Sequence, residues 1–104
     1  MAAYVIIDIE VVDFAVFQEY QRLAGPLFDR YGGKFLAQGG ESQVLEGDWM
    51  PRRLSIMEFE SVELALAMYN CAEYVALKPL REKAAHTRII LLQGNQAPSI
   101  QASG

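Results

Sequence analysis

The hydrophobic pattern changes period along the chain in the order strand, helix, two strands, helix, strand. From Tyr4 to Val12 it alternates, with Val5, Ile7, Ile9 and Val11 on a wholly apolar face and Tyr4, Ile6, Asp8, Glu10 and Val12 on a mixed one. Phe14, Phe17, Tyr20, Ala24, Leu27, Phe28 and Tyr31 then recur at helical spacing behind Asp13, which is placed as an N-cap. Gly25-Pro26 predicts a kink within this helix, and Gly32-Gly33 predicts its end. Strand patterns follow over Gly33–Glu46, Leu54–Phe59 and Arg88–Gln93. In the first of these, Gly39-Gly40 is either a tight turn or a bulge, and one bent strand is the preferred reading. Ser61 is placed to cap a second helix with the buried stripe Ala65, Met68, Tyr69 and Ala72. Asn70-Cys71 loosens it before a segment from Glu73 to Ala84 that Pro79 bends or delimits.

This order predicts an α+β fold, ferredoxin-like β-α-β-β-α-β, with helices on one face of a four-stranded antiparallel sheet over residues 1–94. Residues 95–104, rich in small and polar side chains, are expected to be a flexible tail. The sheet's second face carries Ile6 and Val12, with Leu54, Ile56, Ile90 and Leu92 as their counterparts, and is too apolar to be left to water. Two copies packed face to face, a homodimer, are therefore expected.

Composition supports a single compact domain. The chain has 104 residues, 52% of them hydrophobic, with five Phe, five Tyr and one Trp, more apolar surface than one helix layer on one sheet easily hides. The net charge of −4 without a basic run excludes a nucleic-acid footprint. Nothing approaches the roughly eighteen apolar residues of a membrane span, and the amino terminus reaches Asp8 before a signal core can form. Cys71 stands alone, so no internal disulfide is possible and a reducing, cytoplasmic compartment is expected.

Candidate chemistry is sparse. Asp8 is an acid within an apolar strand, either a hydrogen-bonded acid at an interface edge or a desolvated base or anchor. His86, the single histidine, suits proton transfer near neutrality, or else a dipole partner at a helix end. No zinc-ligand spacing involves His86 or Cys71, so neither a metal nor another cofactor is expected. Tyr20, Tyr31, Tyr69 and Tyr74 lie on helices that cover the sheet, as core residues or as walls of a ligand pocket where Arg81 anchors an anion. Glu46, Trp49, Arg52 and Arg53 form a charged and aromatic cluster, either a surface ion-pair network or a binding edge. Cys71 is read as a packing residue.

The motifs Tyr4-Val5-Ile6-Ile7-Asp8-Ile9-Glu10-Val11, Tyr31-Gly32-Gly33-Lys34-Phe35-Leu36, Gly39-Gly40, Leu45-Glu46-Gly47-Asp48-Trp49, Glu58-Phe59, Glu73-Tyr74 and Leu80-Arg81 form a recognisable set. In these the chain resembles the bacterial family called domain of unknown function 1330, within the dimeric α+β barrel superfamily. The resemblance covers roughly Ala3 to Gly94 and implies a ferredoxin-like fold and a dimer, with no established reaction. Relatives usually place arginine before the second glycine pair, where Gln38 stands here. Related barrels include cofactor-free monooxygenases, isomerases and haem proteins, so two functional readings follow. In the first, a helix–sheet cavity binds or transforms a small organic molecule without cofactor. Asp8 or His86 would move protons there, Arg81 would hold a carboxylate or enolate, and Tyr20, Tyr69 and Tyr74 would shape the walls. In the second, the protein is a non-enzymatic interaction module whose sheet face serves assembly.

Overall fold

The computed structural model describes residues 1–95. Four strands, β1 (Ala3–Val11), β2 (Lys34–Gln38), β3 (Leu54–Phe59) and β4 (Ala85–Gln93), form one sheet in the order β2-β3-β1-β4. Every neighbouring pair is antiparallel. Helices α1 (Phe14–Arg30), α2 (Val62–Asn70) and α3 (Ala72–Ala84) complete the α+β fold, which is the ferredoxin-like arrangement the periodicity predicts. The last strand ends at Gln93, and the expected tail falls, from residue 96 onward, outside the described residues. No helix among the described residues is long and apolar enough to cross a membrane.

Register divides the side chains between two faces. Val5 stands opposite Met57 and Leu91, and Ile7 opposite Ser55 and Ile89, so these residues share the face toward the helices. There Met57 and Phe59 are fully buried with Phe17, Tyr20, Ala24, Leu27, Ala65, Met68 and Tyr74. The other face carries Tyr4, Ile6, Asp8 and Glu10, opposite Glu58, Ile56 and Leu54 on one side and Leu92, Ile90, Arg88 and His86 on the other.

Local chemistry sets the helix ends. Asp13 accepts from Val16 N at 3.2 Å and Ser61 from Leu64 N at 3.1 Å, both as N-caps. α1 runs through Gly25-Pro26 as a single helix, and α3 likewise continues past Pro79, which does not delimit it. Cys71 is extended and its Sγ accepts from Tyr74 N at 3.4 Å, so it ends α2 and caps α3 as well as packing. This break resets the helical phase, and Ala72, expected on the buried stripe of α2, is an exposed first residue of α3. Phe14, also expected in the core, lies in the first turn of α1 before the stripe meets the sheet and is 61% exposed.

Two strand boundaries differ from the expected ones. The bent strand to Glu46 is not formed: β2 stops at Gln38, Gly39 turns at φ 67°, and its N–H donates to Leu54 O at 2.8 Å. Residues 41–50 are then all exposed in a loop, because β3 pairs with β2 only along Lys34–Gln38. β4 begins three residues earlier than Arg88, since its pairing with β1 continues to Val11 opposite Ala85 and Val12 N donates to Ala84 O at 2.8 Å. His86 is consequently a strand residue and not a helix-end one.

Gly33 lies directly against the core. A Cβ there would come within 2.7 Å of the fully buried Phe59 ring and 3.0 Å of Met57 Sδ, so the core would have to shift to admit it. Gly33→Ala is expected to lower stability by about 1–3 kcal/mol through overpacking, read as a lower urea midpoint at unchanged slope.

Candidate functional site

A cavity of about 160 Å³ lies between the inner sheet face and the helices. Its floor is Val5, Ile7 and Ile9 of β1 with Ser55, Met57 and Ile89 from the flanking strands. Its roof is Phe17, Tyr20, Gln21, Gly25 and Phe28 of α1, and Met68, Tyr69, Tyr74 and Arg81 close it from α2 and α3. A bulge in β2 contributes one more group. Phe35 pairs with Met57 and Gln38 with Ser55, with the extra residue between Phe35 and Ala37, so Phe35 and Gln38 both meet the cavity. Strict alternation would have sent Gln38 to the opposite face.

A three-residue polar cluster forms part of the wall of this largely apolar space. Tyr74 and Arg81 lie two turns apart on α3 and so share its inner side, and the packing of α1 on α3 brings Tyr20 to them. The Tyr20 and Tyr74 hydroxyl oxygens are 2.7 Å apart, and Arg81 Nη1 donates to Tyr74 Oη at 2.9 Å. Arg81 is only 6% exposed, and its Nε is enclosed with no hydrogen-bond partner. Burial works against its charge, the tyrosines beside it, Tyr74 foremost, work in favour of it, and the net direction is upward from the ordinary value of an arginine that is charged in any case. Tyr69 packs on Tyr74 with ring centroids 5.5 Å apart and carries the Lys78 ammonium 3.9 Å over its own ring.

A second hollow of about 330 Å³ lies on the opposite sheet face, lined by Asp8, Glu10, Trp49, Met50, Arg52, His86, Thr87 and Arg88. Asp8 Oδ1 accepts from the backbone N–H groups of Arg52 at 2.9 Å and Arg53 at 3.2 Å, the hydrogen-bonded alternative for this acid. Arg52 also reaches Glu10 at 3.7 Å. Thus Tyr20, Tyr69, Tyr74 and Arg81 do come together, but the expectation that Asp8 or His86 serves them is corrected. Both belong to the outward phase of their strands and line the other hollow.

The cluster of Glu46, Trp49, Arg52 and Arg53 also divides. Glu46 is exposed in the loop and lines neither hollow, Trp49 and Arg52 line the outer one, and Arg53 lines the helix-side cavity. The Arg53 side chain crosses Gly39, where a Cβ would collide with it. Tyr31 lies outside both hollows as the C-cap of α1. Sequence reasoning missed Gln21, Gln38 and Ser55 as lining groups. Ser55 carried a signal, a polar residue in phase with Met57 and Phe59, whereas Gln38 depends on the bulge.

Burial raises the Tyr20 phenol well above its ordinary value of 10.0, and the adjoining Tyr74 hydroxyl adds to the shift. A folded phenol that holds its proton more tightly than the unfolded one stabilises the fold below the ordinary value, and this contribution is lost as pH rises above it. Chemical denaturation from pH 8 to pH 11 is expected to show stability falling at the alkaline end, and Tyr20→Phe is expected to flatten that fall, a window set by the ordinary value of about 10.

Comparison with known proteins places the fold. The structure is similar to a protein of unknown function from Rhodopseudomonas palustris, at 24% identity and a TM-score of 0.72, over 91% of this chain and 83% of the other. It is similar to SnoaB, a cofactor-independent oxygenase from Streptomyces nogalater, at 12% identity and a TM-score of 0.64, over 93% and 96% of the two chains. It is also similar to a dimeric protein of unknown function with a ferredoxin-like fold from Bacteroides fragilis, at 11% identity and a TM-score of 0.56, over 89% and 96%. No curated protein gives a significant match to the sequence. The model of the family described as domain of unknown function (DUF1330) matches residues 2–95, and the chain belongs to that family.

Proposed function

We propose that the protein binds a small organic molecule, about one ring in size, in the cavity between helices and sheet. The observation that carries this reading is the unfilled space itself, about 160 Å³ with a buried polar cluster in its wall. Protein interiors rarely leave such a gap, and an engineered cavity of about 150 Å³ is enough to bind benzene. Fold analogy with SnoaB extends the reading to conversion of that molecule without a cofactor. The lining contains no Asp, Glu, His, Lys or Cys, so these side chains would stabilise a developing oxyanion and would not act as a base near neutrality.

Thermal unfolding in the presence of benzene, phenol, benzoate and related single-ring compounds tests this. A ligand at about ten times its Kd adds about 1.4 kcal/mol and is expected to raise Tm by roughly 5–10 °C in a domain this size. A set of compounds in which none raises Tm would sink the reading.

A second reading concerns assembly and rests on the outer sheet face. Ile90 is 61% and Leu92 53% exposed there, beside the half-buried Tyr4, Ile6, Leu54 and Ile56. A two-fold homodimer packed through this face would remove that surface from water, and the Bacteroides fragilis protein of the same fold is described as dimeric. A lone unpaired thiol, Cys71, suits a reducing, cytoplasmic setting. Light scattering at micromolar concentration is expected to give twice the chain mass, and Ile90→Lys with Leu92→Lys is expected to give a folded monomer. A wild-type protein with the mass of one chain overturns the dimer.

A further inference from the structure

The charge of the cavity runs against that of the chain. Thirteen Asp and Glu outnumber nine Lys and Arg in the sequence, yet the cavity is lined by Arg53 and Arg81 and by no acid. The ion pairs among the described residues join Arg22 to Glu19, Arg30 to Glu73 and Arg52 to Glu10, and none involves Arg81. A buried guanidinium has five N–H donors and no acceptor, and this one has a single hydrogen bond among the described residues, to Tyr74. Its enclosed Nε is left without a partner, and the side chain lines the cavity with terminal N–H donors to spare.

The tyrosine pair makes a demand of the same sign. Tyr74 Oη accepts from Arg81, and one phenolic proton lies between the Tyr20 and Tyr74 oxygens. Two phenols bring two protons, so one donor remains over, whichever oxygen carries it. Burial keeps Tyr20 in its protonated form. The cluster therefore offers a positive charge and spare N–H and O–H donors, and no anionic acceptor among the described residues answers them.

Resting on the cavity reading above, we infer that the ligand is a single-ring carboxylate or enolate whose oxyanion sits against Arg81 and the Tyr20–Tyr74 pair, with its ring against Phe17, Phe28 and Met57. A neutral ring would leave the guanidinium unanswered, and a cationic one would be repelled by it.

Benzoate, benzamide and benzylamine share the ring and differ in charge, so calorimetric titration of the three separates the two levels of the argument. Benzoate is expected to bind at least about tenfold more tightly than benzamide, equivalent to about 1.4 kcal/mol, with benzylamine weakest. Arg81→Met is expected to abolish that preference, bringing benzoate affinity down to that of benzamide or below; Arg81→Gln, neutral but still a donor, serves if the first variant does not fold. Equal affinity for benzoate and benzamide, a preference for benzylamine, or a benzoate preference that survives loss of Arg81 would each overturn the oxyanion assignment while leaving the cavity as a ligand site. Binding by none of the three to folded protein would overturn both.

Discussion

A slip of one residue between β1 and either neighbour would carry Val5, Ile7 and Ile9 away from the helices and put Ile6, Asp8 and Glu10 in their place. The antiparallel register of the central strand is thus the constraint on which the rest depends. It places Met57 and Phe59 on the helix side of the sheet, fixes an apolar cavity floor, and keeps Asp8 and Glu10 away from Arg81. The register is enforced from both sides, because a shift that exposed Val5 and Ile7 would also bury Asp8 against the Phe17–Tyr20 side of α1. Burial of an unpaired carboxylate costs far more than any gain from rearranged packing.

Within that frame the cavity sits uneasily with stability. A core that filled this space with aliphatic side chains would gain packing and avoid burying a cation, since replacing buried charge by well-packed apolar groups is often neutral or favourable. Tyr74 answers only part of the Arg81 demand, and Tyr20 needs Tyr74 as its own partner. Places where a sequence departs from the most stable choice, with a charge, two phenols and a gap converging, are where binding sites are expected. The rings around the cluster, Phe28 and Tyr69 each packed on Tyr74, hold the phenols in fixed directions and limit the disorder such a gap would otherwise allow.

The elements that were legible in the sequence are those set by local chemistry and by period. Asp13 and Ser61 cap where their hydroxyl or carboxylate precedes an apolar stripe, and the alternation from Val5 to Val11 identifies the inner face of β1. The grouping of Tyr20, Tyr69, Tyr74 and Arg81 was also readable, because Tyr74 and Arg81 are two turns apart on one helix and Tyr20 lies on the buried stripe of another. Three features were not, each for a physical reason. The β2 bulge that turns Gln38 inward depends on what β3 offers opposite it, and nothing in Phe35-Leu36-Ala37-Gln38 marks the extra residue. His86 belongs to a strand because β1 pairing outcompetes continuation of α3, a tertiary choice. Asp8 was conspicuous as an acid among aliphatics, but its partners are backbone amides of a loop more than forty residues away, which no local pattern encodes.

That last interaction gives Asp8 an indirect place in the cavity it does not line. Its carboxylate fixes the backbone of Arg52 and Arg53 just before β3 begins, and Ile9 N donates to Arg53 O at 3.1 Å from the same strand. With its main chain held at both N–H and C=O by β1, Arg53 extends its side chain across Gly39 to the cavity wall. Gly39 is required twice over, by a left-handed backbone that other residues reach only with strain and by the close passage of the arginine. The acid on one face of the sheet therefore positions a guanidinium on the other. The two faces are coupled through the backbone at the start of β3 rather than through any side-chain contact across the sheet.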